Sequence, residues 1–108
     1  MSLLAQLRPM NTNSARLFRN NTSGAVAKLS VVHICNQSNA SANYRIYATI
    51  SGSRYRRRNA LYWDIPLAAN RTAIEEFYDM EMDNNQASIG VRSSVAGALT
   101  FTLHGKRE

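Results

Sequence analysis

The chain has few of the residues from which metal centres and covalent catalytic sites are built. Its 108 residues include one cysteine, Cys35, and two histidines, His33 and His104. A single cysteine excludes an internal disulfide and a zinc site made of several cysteines. Because Cys35 closes an apolar run that starts at Val31, we expect a small buried side chain rather than a reactive thiol.

The sequence also lacks a recognisable catalytic constellation. It has no nucleophile elbow, no Ser-His-Asp or Cys-His arrangement and no glycine-rich loop for phosphate. His33 shares the parity of Leu29, Val31 and Cys35, which is typical of a histidine satisfied within a sheet. We therefore expect that the protein is not an enzyme, and that it uses no cofactor, no metal and no small-molecule substrate.

Long apolar runs are absent as well. No segment approaches the roughly 18 residues that a membrane span needs, so we expect no membrane partner. The first residues have no basic start and only a short apolar stretch, unlike a secretory signal. Without such a signal, we interpret Asn-x-Ser/Thr sequons such as those at Asn20, Asn36, Asn39 and Asn70 as polar turns. The length suffices for one domain with its own core.

Lysine is scarce, whereas arginine is abundant. The formal net charge is +6, and Lys28 and Lys106 are the only lysines among thirteen basic residues. The planar guanidinium of arginine pairs with carboxylate or phosphate through two parallel hydrogen bonds and stacks on aromatic rings. The charge therefore suits an interface with nucleic acid or with an acidic protein surface.

Alternating apolar and polar residues predict an all-β protein. Leu99, Phe101 and Leu103 alternate with polar residues, and a second alternating run extends from Tyr44 to Ile50. This period of two is that of a strand with one buried face. Strands at such short spacing indicate a single antiparallel β-sandwich, jelly-roll-like, over residues 14–108. The predicted strands are 15–18, 26–35, 43–50, 61–65, 72–78, 87–92 and 98–104, with 26–35 and 43–50 forming a hairpin.

Residues 1–13 are expected to form an extended N-terminal docking arm. Leu3, Leu4, Leu7 and Pro9 are apolar, and a polar Asn-Thr-Asn follows. The segment is too short to fold alone, so its leucines would be buried on a neighbouring subunit. On this hypothesis, deletion of residues 1–13 leaves a folded, soluble domain that no longer incorporates into its assembly.

A basic loop is the sharpest local feature, and it consists of Arg54, Tyr55, Arg56, Arg57 and Arg58. A basic patch with an interleaved aromatic suits a phosphate backbone with a stacked base, which makes a nucleic-acid-binding module the alternative function. The same residues would serve as a protein interface or as a solvated loop.

Five of the seven acidic residues are concentrated in one stretch: Glu75, Glu76, Asp79, Glu81 and Asp83. The spacing lacks the glycine turn of a calcium loop. If the stretch and the basic loop lie on opposite flanks, identical subunits would pair head to tail and close into a ring. Reversal of Arg56, Arg57 and Arg58 to Glu would then prevent assembly. Pairing within one chain, worth little at a surface, is the other interpretation.

The aromatic residues suggest a third function class. Tyr62-Trp63-Asp64 lies on a predicted strand, where aromatics usually serve as core or interface anchors. With Tyr55, these two aromatics would suit a carbohydrate-binding receptor module if they surrounded an exposed groove.

Across nearly its whole length the chain resembles a family of small virion proteins of tailed bacteriophages. The clearest segments are residues 28–36 (KLSVVHICN) and 61–70 (LYWDIPLAAN), and the order and spacing of the segments carry the resemblance. The remaining ones are 4–9, 15–18, 43–46, 88–92 and 99–105. The chain departs from the family at residues 54–58, which are more basic, and at 75–83, which are more acidic.

The resemblance implies a structural protein without enzymatic activity. Such a β-sandwich would oligomerise and dock on a symmetric neck or collar, tail or baseplate, fibre attachment or capsid platform of the virion. Its partners would be copies of itself and other virion proteins, and assembly would take place in the bacterial cytoplasm. The expected partner interface comprises the arm leucines with Pro9, the basic loop and the acidic stretch.

Overall fold

Eight β-strands form the part of the chain that the computed structural model describes, namely residues 2–20, 26–50, 54–82 and 86–107. One short 3-10 turn, Arg57–Asn59, precedes the fifth strand. The strands are β1 (Ser2–Leu7), β2 (Ala15–Arg19), β3 (Ala27–Asn36), β4 (Ala42–Thr49), β5 (Ala60–Leu67), β6 (Thr72–Met82), β7 (Ser88–Ser93) and β8 (Leu99–Arg107). None of the described residues belongs to a helix that could cross a membrane.

The strands pair as one long hairpin that has been rolled up. The first strand pairs with the eighth, the second with the seventh, the third with the sixth and the fourth with the fifth, all antiparallel. Strand β3 also pairs with β8, and β4 also pairs with β7, which joins the eight strands into two four-stranded sheets. Sheet I has the order β1-β8-β3-β6, and sheet II has the order β2-β7-β4-β5. This is the double-sheet arrangement of a jelly roll, which confirms the predicted all-β sandwich.

The core lies between the inner faces of the two sheets. In β8, the predicted alternation is confirmed, since Leu99, Phe101 and Leu103 are fully buried and their neighbours are not. Ile89 and Val91 supply the matching inner face from sheet II. Tyr44 crosses the gap, and its ring meets that of Phe101 edge-on at a centroid distance of 6.4 Å.

A bulge changes which residues of β3 face inward. The register with β6 and β8 shifts between Leu29 and Val31. Leu29 is buried before the shift, and Val32 and Ile34 are buried after it, so Cys35 points to the outer face and is half-buried. The prediction of a buried Cys35 was therefore wrong, because an extra residue in one strand reverses the inward parity.

The alternation predicted for β4 also fails beyond Ile46. The register with β5 shifts on both sides of that residue, and Ile50 ends up 75% exposed. Tyr47 is buried, yet it lies outside the main core cluster. It is covered instead on the outer face of sheet II, which the candidate site occupies.

The structure revises the predicted N-terminal arm. Residues 2–7 form β1, an edge strand of sheet I, where Leu4 and Leu7 pack against this chain's own core. Pro9 is buried, and its carbonyl accepts a hydrogen bond of 2.8 Å from the backbone N–H of Gly97. Because two of the leucines already contact the core, only Leu3, which is 59% exposed, remains for a neighbour.

The predicted hairpin between residues 26–35 and 43–50 is not formed. Strand β3 belongs to sheet I and β4 to sheet II, so the two strands lie in opposite layers. The polar turn between them crosses from one sheet to the other, because each strand pairs with one from the second half of the chain.

Candidate functional site

An arginine held flat on a tryptophan lies on the outer face of sheet II. Opposite Arg45 of β4, strand β5 has two residues, Trp63 and Asp64, because the register shifts there. Asp64 adopts a left-handed φ of 51°, which aspartate tolerates better than most residues. The bulge therefore brings both side chains to Arg45, whose guanidinium carbon lies 3.6 Å from the centroid of the Trp63 ring.

Asp64 binds Arg45 through both carboxylate oxygens. Nε of Arg45 donates to Oδ1 at 2.6 Å, and Nη2 donates to Oδ2 at 3.1 Å. These hydrogen bonds hold the pKa of Asp64 below its ordinary value, and the charges of Arg45, Arg92 and Arg57 act in the same direction. The same pairing raises the pKa of Arg45. One carboxylate thus offsets repulsion among three neighbouring arginines.

The basic loop is anchored to the same face by Tyr55. A Cβ placed on Gly90 would come within 2.6 Å of the Tyr55 ring, so the ring lies directly on this glycine. The Tyr55 ring also packs on that of Tyr47 at 5.6 Å, and its hydroxyl lies 2.9 Å from the Ser88 hydroxyl. Position 90 of β7 therefore requires glycine. The ring of Tyr55 packs against the protein instead of being free to stack on a ligand.

Arginines surround this centre. Arg92 lies directly opposite Arg45 in the β4–β7 register, and Arg16 lies opposite Gly90 in the β2–β7 register. The guanidinium carbon of Arg57 is 5.3 Å from the Trp63 centroid. We call these four arginines, together with the other arginines of the loop that Tyr55 anchors on this face, the arginine surface. Its members are Arg16, Arg45, Arg54, Arg56, Arg57, Arg58 and Arg92. All are exposed except Arg45 and Arg92, which are half-buried.

The acidic residues of β6 lie on the other sheet, and two of them have partners. The Tyr44 hydroxyl donates to Oε2 of Glu75 at 2.6 Å. Burial, followed by this hydrogen bond, raises the pKa of Tyr44 far above its ordinary value. Glu81 forms a long ion pair of 3.9 Å with Lys28. Glu76 is exposed. The side chain of Asp79 and all of Asp83 lie outside what the structure describes.

The basic loop packs on sheet II and the acidic stretch lies on β6 of sheet I, yet both reach the same end of the sandwich. Thr49 at the end of β4 pairs with Ser88 at the start of β7. The β4–β5 and β6–β7 connections therefore share one end of the sandwich. Glu81 in the last part of β6 approaches that end, where the basic loop also lies. Head-to-tail contact between the two charged segments of neighbouring subunits stays a prediction.

The three aromatics of the carbohydrate-binding hypothesis do not form an exposed groove. Tyr62 packs against the core, and burial raises its pKa. Tyr55 lies on Gly90, and Trp63 is covered by Arg45. The aromatic faces that a sugar ring would need are therefore occupied by this chain.

The outer face of sheet I is less charged. His33 and His104 meet there edge-on, with ring centroids 4.9 Å apart. Ile74, opposite His33 in the register, is 56% exposed. Within residues 2–20, 26–50, 54–82 and 86–107, no three His, Cys, Asp or Glu residues come together as a candidate metal site.

Sequence reasoning identified the basic loop but missed Arg16, Arg45, Arg92 and Asp64. The sequence could have indicated Arg45, because its alternation with Tyr44 and Ile46 places its side chain on the outer face. The pairing with Asp64 depends on the bulge in β5, and no residue pattern predicts that bulge.

No protein-family model matches the sequence, and no curated protein matches it. Among solved structures, the chain is similar to a protein chain in a structure of infectious bursal disease virus, Gt strain. The TM-score is 0.48 and the sequence identity is 11%. The match covers 98% of this chain and 31% of the viral chain, so this chain spans about a third of that protein's length.

Proposed function

We propose that the protein is a non-enzymatic structural subunit of a bacteriophage virion. Copies of it associate with one another and dock on a symmetric neck or collar, tail or baseplate, or capsid platform. Its location is the virion, which is assembled in the cytoplasm of the host bacterium.

The rolled-hairpin topology carries this proposal. Each of the first four strands pairs with its counterpart from the last four, which gives two antiparallel sheets of four strands. Eight-stranded jelly rolls recur in viral capsid and lectin domains, although a fold alone does not fix a function. A lectin role is disfavoured because Tyr55, Tyr62 and Trp63 are packed within the chain.

The ordered resemblance to small tailed-phage virion proteins supports the bacteriophage part of the proposal. It extends over nearly the whole sequence, including the segment 61–70, which supplies β5 and the Trp63–Asp64 bulge. The two departures from the family, at 54–58 and 75–83, would adapt this subunit to partners of its own virus.

The open edges of both sheets support self-association. Strands β1 and β6 are the edges of sheet I, and β2 and β5 are the edges of sheet II. Edge strands present backbone groups that can pair with another chain. The longest edge, β6, also carries Ile74 and Tyr78, which are 56% and 85% exposed. An interface on this edge would bury apolar surface as well as backbone hydrogen bonds.

The mass of the purified protein in solution tests self-association. Light scattering in about 0.1 M and about 1 M NaCl should give one closed oligomer of the same mass, because apolar burial and backbone pairing are not screened by salt. Ile74→Asp, on the β6 edge, should reduce the mass. Val95→Asp, a matched change at another exposed apolar residue outside the strands, should leave it unchanged. A monomer in wild-type protein at both salt concentrations would contradict self-assembly.

A further inference from the structure

We propose that the arginine surface binds a nucleic-acid duplex through its phosphates, without reading the base sequence. The inference is independent of the virion role, since it depends only on the charge and geometry of the outer face of sheet II. It extends the basic-loop hypothesis by Arg16, Arg45 and Arg92, and it differs in the mode of recognition because the Tyr55 ring is packed on Gly90.

The described acidic residues lie mostly on sheet I and the strand arginines mostly on sheet II, although sheet I also carries Lys28, Lys106 and Arg107. The arginine surface has seven arginines, and Asp64 is the one acidic residue that the structure describes on the strands of sheet II. The described glutamates all lie on β6 of sheet I. Clustered guanidinium groups on one face form a positive patch of the kind that binds a phosphate backbone. The negative charges of that backbone recur about every 1.7 Å along a duplex.

The surface is held in place before any ligand arrives. Arg45 is fixed by Asp64 and Trp63, and the Nε of Arg92 donates to the Thr12 carbonyl at 2.8 Å. Tyr55 anchors the loop that carries the four exposed arginines. Preorganised side chains lose little conformational entropy on binding, so the favourable electrostatic contribution is retained.

The packed aromatics determine the mode of recognition. Single-strand binding proteins usually gain affinity by stacking bases on exposed rings. Here Tyr55 lies on Gly90 and Tyr47, and Trp63 lies beneath Arg45. Without those rings, binding depends on phosphate contacts alone, and a duplex is favoured because its charge density is higher.

An acidic surface of a second copy matches the arginines poorly. Of the β6 acids, Glu75 accepts the Tyr44 hydrogen bond and Glu81 pairs with Lys28. Glu76 and Glu81 are exposed. The described carboxylates of β6 are fewer than the five exposed arginines, whereas a polyphosphate chain supplies a charge for each.

Fluorescence anisotropy with labelled duplexes of about 20 base pairs tests the proposal. Two unrelated sequences should bind equally, and the matching single strand should bind more weakly. Five exposed arginines would give a log K against log salt slope of roughly −4.5. Arg54→Gln with Arg58→Gln should reduce the magnitude of that slope by about two. The control, Arg8→Gln with Arg71→Gln, removes the same charge at the end of the sandwich opposite the basic loop. It should leave the slope of log K against log salt nearly unchanged.

Three results would overturn the proposal. One is no duplex binding by wild-type protein at low salt. Another is an equal change of slope in the two double variants, which would indicate a general effect of net charge. The third is a loss of oligomer mass in Arg54→Gln with Arg58→Gln while its salt slope stays that of wild type. In that case the arginines would form a protein interface. Thermal unfolding of both variants confirms that folding is retained.

Discussion

At the scale of single residues, Gly90 and Tyr55 position the basic loop. The Tyr55 ring occupies the space that any side chain at position 90 would fill. Its hydroxyl also extends a polar contact from Thr49 to Ser88, whose oxygens are 3.0 Å apart. Without this anchor, the four arginines of the loop would be repelled by the other arginines on the outer face of sheet II. Tyr55 therefore holds the loop on this face by packing, whereas Asp64 holds Arg45 there by hydrogen bonds.

Gly90→Ala is expected to destabilise the protein by about 1–3 kcal/mol, because the added methyl group displaces the Tyr55 ring. In a Tyr55→Ala background the same change should cost almost nothing, since alanine is otherwise preferred to glycine within a strand. Urea unfolding of the four proteins in this double-mutant cycle measures the coupling between the two positions. Equal destabilisation in both backgrounds would show that the ring does not lie on Gly90.

At the scale of strands, bulges mark the limit of what the sequence could predict. The alternation of β8 runs without interruption, so its inward residues followed directly from the pattern. In β3 and β5 an extra residue changes the parity, and its position depends on the partner strand. The outward, half-buried position of Cys35 and the Arg45–Asp64 pair could therefore not be predicted from residue order.

The first strand, β1, depends on a partner at the far end of the sequence. Three leucines followed by a polar segment suggest an arm, but the same leucines suit an edge strand whose partner is the last strand. Leu4 packs close to Gly105 of β8, where a Cβ would approach its Cδ1 to 2.8 Å. Contacts between the two ends of the chain are invisible to local patterns.

Deletion of residues 1–8 is expected to lower the free energy of unfolding by roughly 2–5 kcal/mol, because it removes two partly buried leucines and exposes β8 as a new edge. Leu4→Ala with Leu7→Ala, which retains the strand backbone, should cost less. Urea unfolding compares the two variants with wild type. A truncated protein of undiminished stability would instead restore the interpretation of the segment as an independent arm.

At the scale of the whole molecule, the fold class was predictable but the pairing was not. Short alternating segments with polar turns were sufficient for an antiparallel sandwich. The expected hairpin between β3 and β4 assumed that neighbours in sequence pair, whereas a rolled hairpin pairs β3 with β6 and β4 with β5. The same topology gathers Arg16, Arg45 and Arg92 from three strands onto one face, although no segment of the sequence contains them together.

The two sheets thus present different surfaces to a partner. Sheet II presents the arginine surface, whereas sheet I presents Leu3, Ile74 and the two histidines. A subunit with such unlike faces can contact nucleic acid on one side and protein on the other. Such a division would suit the structural role in a virion that we propose.

The composition of purified particles tests the proposed role most directly. On the proposed function the chain is encoded by a bacteriophage, so particles of that phage should be purified and their proteins quantified by mass spectrometry against the major capsid protein. The structural proposal predicts this protein in the particles at a fixed integer copy number, as symmetric docking requires. Its presence in infected cells together with its absence from purified particles would contradict the proposal.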